Sequence, residues 1–250
     1  MNILVTGAGG FLGRGLVLPL AEAGHRLRLL DVAPFESAHE VVCGSVEDQA
    51  LMESALQGMD GLIIGHMAPR GDGNINYQTP DLPLAVNVAG TAVCFHAAKA
   101  AGVRKVVVIS STAAVQKHND LSARPASLSH RAEGYYGLSK VLQEVIAEQF
   151  ARTEGMQVAC LRVGYILDGE ANRDKYGRHV GEINYADTDR RDIGSCALAC
   201  LECPDLTYEV FNVMSTQESM DKACVRYTCE RLGWKPRHDF SWLRQPVAKG

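Results

Sequence analysis

The stretch "VTGAGGFLGRG" (5–15) follows the apolar run "MNILV" and places five glycines in eleven positions. A backbone so bare of Cβ atoms is useful where something must come close to it. An apolar strand that enters a turn built on Gly7, Gly10 and Gly13 and leaves as a helix aims free N–H groups and a positive helix end at one point. That point suits a pyrophosphate. Gly7 takes the tight turn, Gly10 admits the phosphates and Gly13 lets helix and strand pack closely, with Phe11 and Leu12 completing the cofactor-binding turn. The G-x-x-G-x-x-G spacing is tighter than the common dinucleotide fingerprint, and a plain βα turn would also use these glycines.

Short apolar segments at 2–6, 26–31, 40–43, 61–65, 105–110 and 157–161 alternate with longer stretches of helical spacing. The alternation predicts an α/β fold, a doubly wound parallel sheet. "KVVVIS" (105–110) is apolar on consecutive positions, as befits a central strand covered on both faces. Beyond about residue 165 the chain turns polar and weakly periodic, and this predicts a small, loop-rich C-terminal substrate lobe. The predicted division is a nucleotide-binding domain over 1–165, with 192–216 packing back onto it, and a lobe made of 166–191 and 217–250. Helices are expected at 192–203 and 218–232, with a strand at 208–215. Segment 82–102 is apolar nearly all round, so a helix there needs cover on both sides. A homodimer through helices 82–102 and 133–153 would provide it.

Net charge is −4 with both signs scattered, so no basic stripe invites nucleic acid. No apolar run approaches the length of a membrane span. Strand-like residues begin at Asn2, leaving no room for an export leader. The eight cysteines lie mostly in apolar periodic segments and read as reduced core residues of a cytoplasmic protein. Cys196, Cys200 and Cys203 share a helical period without a glycine-rich loop, and the histidines lack ligand spacing, so no metal is expected.

The second strand ends in Asp31, about 20 residues after the glycines, where a carboxylate can accept both ribose hydroxyls of an adenosine. Asp31 therefore favours NAD over its 2′-phosphorylated form; Arg14 and Arg28 are the nearest cations that could soften that preference. In "GYYGLSK", Tyr136 and Lys140 stand four residues apart, on one helix face. An ammonium beside a phenol favours the phenolate and makes it a proton carrier near neutral pH. Upstream, "ISSTAAV" puts Ser110, Ser111 and Thr112 at the carboxyl end of a parallel strand, where open α/β sheets bind ligands.

In their order, "TGAGGFLG", Asp31, "GSVED", "IIGHMA", "NVAGT", "VVVISSTAAV", "YYGLSK", "LRVGYILDG" and "VFNV" resemble the extended short-chain dehydrogenase/reductase family of NAD-dependent epimerases, dehydratases and small sugar dehydrogenases. The resemblance implies a Rossmann fold with NAD as cofactor. It also implies that Tyr136 exchanges the substrate proton while hydride passes to or from the nicotinamide. Lys140 would hold the nicotinamide ribose and tune Tyr136. Thr112, with Ser111 as second choice, would hydrogen-bond the reacting oxygen. Ser45, Val46, Ala68 and Asn87 match cofactor-pocket positions.

Three positions depart from the family's pattern. Ser45 stands where a cofactor-binding aspartate is usual, Gln116 replaces an aromatic, and the region of Gly164 and Tyr165 replaces an asparagine. Only 110 residues follow Lys140, too few for the usual nucleotide-sugar lobe, and the size and the terminal "LGWKP" are similar to uronate dehydrogenases. The substrate is thus expected to be a small carbohydrate-like molecule, contacted by Gln116, Tyr165 and an arginine such as Arg173. The reading is an NAD-dependent oxidoreductase of a small sugar or sugar acid, with Tyr136 as general acid/base. A nucleotide-sugar epimerase or dehydratase is the alternative, and a non-catalytic dinucleotide sensor is the rival from another class.

Overall fold

A computed structural model describes residues 1–115 and 120–241. Seven parallel strands form the main sheet: β1 (Asn2–Thr6), β2 (Arg26–Asp31), β3 (Glu40–Cys43), β4 (Gly61–Ile64), β5 (Lys105–Ser111), β6 (Gln157–Val163) and β10 (Tyr208–Val213). Their order is β10-β6-β5-β4-β1-β2-β3, so β5 pairs on both sides, as its unbroken apolar run demands. Successive residues feed opposite faces of the sheet. Ile3, Val5, Val107 and Ile109 join one core with Leu16 and Leu20 of α1 (Phe11–Glu22) and with Ile193 and Ala197 of α5 (Arg190–Glu202). Leu4, Val106, Val108 and Cys160 join the other with Met52 of α2 (Gln49–Ala55), Phe95 of α3 (Gly90–Ala100) and Ala147 of α4 (Gly134–Glu154).

The order reverses between β1 and β4, and the carboxyl ends of the strands there open a crevice, the usual ligand position in such sheets. A second, three-stranded sheet overhangs it: β7 (Tyr165–Asp168), β8 (Arg173–Asp174) and β9 (Asp187–Asp189), in the order β8-β7-β9. These strands are only two to four residues long, too short for alternation to reveal them in the sequence. One predicted helix changes its winding and another divides. The 82–102 segment begins with a π-helical stretch, Pro83–Ala89, before α3. The 218–232 segment divides at Cys224, whose φ is +51°, into α6 (Ser219–Lys222) and α7 (Val225–Leu232). Among the described residues no helix is long and apolar enough to cross a membrane.

Candidate active site

The glycine turn is built as its spacing demands. Gly7 has φ +70°, and a Cβ there would lie 2.7 Å from the backbone of His66. A Cβ on Gly13 would fall 2.3 Å from the Ala8 carbonyl oxygen, so α1 packs against the turn only through glycine. Gly10 caps α1 without any side-chain acceptor, and this leaves the first helical N–H groups free for an anion. Gly7, Gly10, Phe11 and Leu12 form one wall of a cleft of about 550 Å³.

Asp31 lines the same cleft beside the glycine turn, its Oδ2 accepting the Gly9 N–H at 3.0 Å and its Oδ1 the Ala33 N–H at 3.4 Å. The carboxylate thus ties the glycine loop to β2 while facing the cleft. Arg28 is spent elsewhere, donating to Glu40 Oε1 at 2.7 Å and to the Ala55 carbonyl at 2.8 Å. Ser45 and Val46 line the cleft as expected, and so does Glu47, whose Oε2 accepts the Ser45 hydroxyl at 3.1 Å.

Two residues named on the β4 side lie behind the cleft lining. Ala68 is fully buried, and the exposed lining comes from its neighbours Met67 and Pro69. Asn87 is also sealed in: its Oδ1 accepts the Ala68 N–H at 2.6 Å and its Nδ2 donates to Ser139 Oγ at 2.9 Å. It braces the cleft from behind, because its side chain is needed to hold the β4 loop against α4. His66 does line the cleft. Its Nδ1 pairs with Thr6 Oγ1 at 2.9 Å, and burial, aided by the Lys140 charge, pushes its pKa down to about 3. It stands there as a neutral imidazole.

Tyr136 lies in the first turn of α4, and Lys140 one turn later. The Lys140 Nζ donates to the Ile109 carbonyl at 2.9 Å and lies 6.0 Å from the Tyr136 ring centroid. Burial pushes its pKa down to about 8, against the opposing pull of Glu144. Burial also pushes the Tyr136 phenol up, while hydrogen bonding from Ser111 and the charge of Arg70 draw it down. The hydroxyl that meets Tyr136 is therefore Ser111, not the favoured Thr112. Both residues are buried; Ser111 ends β5 and Thr112 opens the 3₁₀ segment Thr112–Ala114 that follows.

Behind this group, Glu144 is buried and accepts from Ser110 Oγ at 2.6 Å and from Arg162 Nε and NH2 at 2.9 and 2.7 Å, and pairs with His130 Nε2 at 2.9 Å. These bonds hold its carboxyl down at about 2. The cluster joins β5, β6 and α4 at the level where Tyr136 and Lys140 emerge.

Two participants, Arg70 and Tyr77, were not foreseen, and Lys175 was read only as one of the lobe's cations. Arg70, in the loop after β4, places its guanidinium carbon 4.7 Å from the Tyr136 ring centroid and 5.5 Å from that of Tyr77. Tyr77 meets Tyr136 edge to face at 5.5 Å. Lys175 reaches the cleft from the overhanging lobe, its ammonium pushed down to about 8 by burial and by Arg70. The named lobe residues are engaged within the lobe. Arg173 is exposed and donates to the Gly177 carbonyl at 2.7 Å, so the cation that this turn delivers is Lys175. The Tyr165 hydroxyl donates to Asp174 Oδ2 at 2.9 Å and accepts from Arg178 at 3.0 Å; it braces the turn that carries Lys175. Gln116 lies outside the described residues. Among the described residues, no group of His, Cys, Asp or Glu side chains could hold a metal.

This arrangement can hold a dinucleotide along the switch point and present a hydroxyl-bearing molecule to a phenol at its lobe end. A sequence model described as the NAD dependent epimerase/dehydratase family matches residues 3–180. The chain belongs to that family. Among its curated relatives is L-arabinose 1-dehydrogenase (NAD(P)(+)) of Haloferax volcanii, 28% identical over 94% of this chain and 96% of that enzyme. Uronate dehydrogenase of Pseudomonas syringae pv. tomato is also 28% identical, over 69% of this chain but 62% of its own length. A solved structure, a uronate dehydrogenase mutant from Agrobacterium tumefaciens complexed with NAD, is 23% identical with a TM-score of 0.75, over 99% of this chain and 92% of that one. That likeness is one of fold.

Proposed function

We propose that this family member is an NAD-dependent dehydrogenase that oxidises a hydroxyl of a small sugar or sugar acid, with Tyr136 as the general base. The reading is supported by Tyr136 meeting Ser111 and standing one helical turn from Lys140, in a fold whose separate cleft carries Gly7, Gly10 and Asp31. The uncapped N-terminus of α1 would hold the pyrophosphate and Asp31 the adenosine ribose, with Ser45 and Glu47 beyond it. Lys140 would turn from the Ile109 carbonyl to the nicotinamide ribose. Hydride acceptance is the chemistry that bound NAD supplies. Ser111 would orient the substrate oxygen while Tyr136 takes its proton, and the lobe carrying Lys175 would exclude water.

The lobe between β7 and β9 is small, which favours a substrate without a nucleotide tail. A domain division at about residue 165 is supported by β7, which belongs to the second sheet. Leu138 and Val145, on one face of α4 and 40% and 47% exposed, support a homodimer through α4 and α3. Eight free thiols support a reducing, cytoplasmic setting.

The test replaces Tyr136 with Phe and follows NAD binding and turnover on aldoses, uronates and nucleotide sugars. Turnover falling about 10²- to 10⁴-fold with NAD affinity kept is the expected result. A wild type that binds NAD yet oxidises no sugar would leave the dinucleotide-sensor reading in its place; preferred turnover of nucleotide sugars would favour the epimerase or dehydratase.

A further inference from the structure

Two cations attend Tyr136, and they differ in position and in kind. Lys140 shares its helix, donates to the Ile109 carbonyl and stays 6.0 Å from the ring centroid. Arg70 comes from another element and stands at 4.7 Å. A guanidinium keeps its charge at every working pH, whereas an ammonium can be neutralised by burial. Lys140 is such a case, being 3% exposed with a pKa of about 8. In alkaline solution, where removal of a substrate proton is easiest, it loses the charge that a phenolate needs.

We propose that Arg70 is the standing cation that holds Tyr136 as a phenolate during oxidation, with Lys140 sharing that duty only while it keeps its own proton. The inference rests on the reading in which Tyr136 takes the substrate's proton. Arg70 acts through Tyr136 and is a positioning residue. A phenolate oxygen that accepts from Ser111 and from Arg70 keeps one acceptor direction for the substrate hydroxyl. In the step itself the substrate O–H and C–H bonds break and a C=O bond forms. The proton goes to the phenolate, and the hydride, with its electron pair, goes to the nicotinamide.

Arg70 is built for such a duty. Its Nε is buried with no partner among the described residues, and its NH1 donates to a neutral acceptor, Asn74 Oδ1, at 3.2 Å. Its charge is therefore not spent on a carboxylate there. The other groups facing Tyr136 do not replace it. Ser111, at the end of β5, donates without charge, and Tyr77 and Tyr176 oppose ionisation if they ionise themselves. Lys175, from the lobe, is itself weakened by burial and by Arg70. Glu144 steadies the charge on Lys140, and His66 stays neutral.

The test is the pH dependence of kcat/KM with NAD and either D-galacturonate or L-arabinose, in wild type, Arg70→Met and Arg70→Lys. Removing an opposite charge at this range raises the controlling pKa by about 1 to 2 units, so on the rising limb the rate falls roughly 10- to 100-fold. The alkaline plateau stays within a few-fold of wild type, and Arg70→Lys restores part of the shift. A second readout needs no turnover: the near-ultraviolet phenolate absorbance of the NAD complex, taken as the difference between each variant and its Tyr136→Phe counterpart. Its midpoint moves up in Arg70→Met and partly returns in Arg70→Lys. A limb and a midpoint that stay in place, with a raised KM instead, would show that Arg70 holds substrate and would overturn the proposal. Full activity in Tyr136→Phe would remove the underlying reading. An inactive Tyr136→Phe with an unmoved midpoint in Arg70→Met would remove this inference alone.

Discussion

In the proposed function Asp31 would set cofactor choice by charge, and replacing it with Ala measures how much. A 2′-phosphate in the cleft would come within roughly 5 Å of the carboxylate, bringing two negative charges against one. The repulsion is about 2 kcal/mol in a water-like medium and about 6 kcal/mol at the effective dielectric of a protein surface. Asp31 is only half-buried, so the lower figure is the safer one, and it makes NADP bind roughly 30-fold more weakly than NAD. Arg28 cannot offset this, because Glu40 and the Ala55 carbonyl hold it. The substitution has a second effect: the Gly9 N–H loses a charged acceptor at 3.0 Å, a loss of about 1.5 to 3 kcal/mol that weakens both cofactors. Calorimetric titration of Asp31→Ala should thus show NAD affinity down roughly 10- to 100-fold, NADP affinity down less, and the ratio moving toward one. In wild type the ratio should shrink as salt is added, because the carboxylate is reachable by solvent. Equal affinities in wild type, or an unchanged ratio in Asp31→Ala, would refute the reasoning.

Two further outcomes concern the framework of the site. His66 has a folded pKa of about 3 against 6.5 in the unfolded chain. Between those values the unfolded state binds a proton that the folded state refuses, so stability is full above pH 6.5 and is lost as pH falls. The slope should approach about 1.4 kcal/mol per pH unit. His238, raised by Asp192, acts with the opposite sign and above pH 6.5, so denaturant titrations between pH 6.5 and 5 report His66, and His66→Asn should flatten them. Glu144→Gln leaves the Arg162 guanidinium, 2% exposed, without its bidentate partner. A loss of about 3 to 5 kcal/mol is expected, seen as a thermal midpoint lower by roughly 10 °C; a loss under about 1 kcal/mol would mean that Arg162 finds another acceptor.

The main sheet was legible because its strands obey a rule that needs no partner information. β4 and β5 are apolar on consecutive positions since both faces are covered, and the boundaries at Asn2–Thr6, Arg26–Asp31 and Glu40–Cys43 coincide with the segments read from the sequence. The second sheet obeys a different logic. Four of its six buried residues are Asp168, Asp174, Asp187 and Asp189, beside Leu167 and Thr188, and the aspartate carboxylates cap turns and pair with arginines, as Asp189 does with Arg191 and Asp168 with Arg190. Polar residues buried by mutual hydrogen bonding carry no hydrophobic period. The break at Cys224 was invisible for a related reason: a non-glycine residue at positive φ is held by its surroundings and not by its own preference.

The site divides along the same line. Tyr136 and Lys140 lie on one helix, and Gly7, Gly10 and Gly13 in one turn, so spacing alone relates them. Arg70 lies in "APRGDGNINY", which reads only as a run of turn formers, and its meaning depends on Tyr136, 66 positions away in sequence. No periodicity joins two such residues; the parallel crossover from β4 through α3 and β5 to α4 does. The lobe's cations pose the same problem at short range. Arg173 and Lys175 are two residues apart, yet the turn after β8 leaves one in solvent and brings the other to the cleft, because Asp174 between them is pinned by Tyr165 and Arg178. The sequence could supply a cluster of positive charge near the substrate, and only the fold selects which charge meets it. Residues that act within one element are therefore readable in advance, whereas those that tune a group on another element become visible only when the two are brought together.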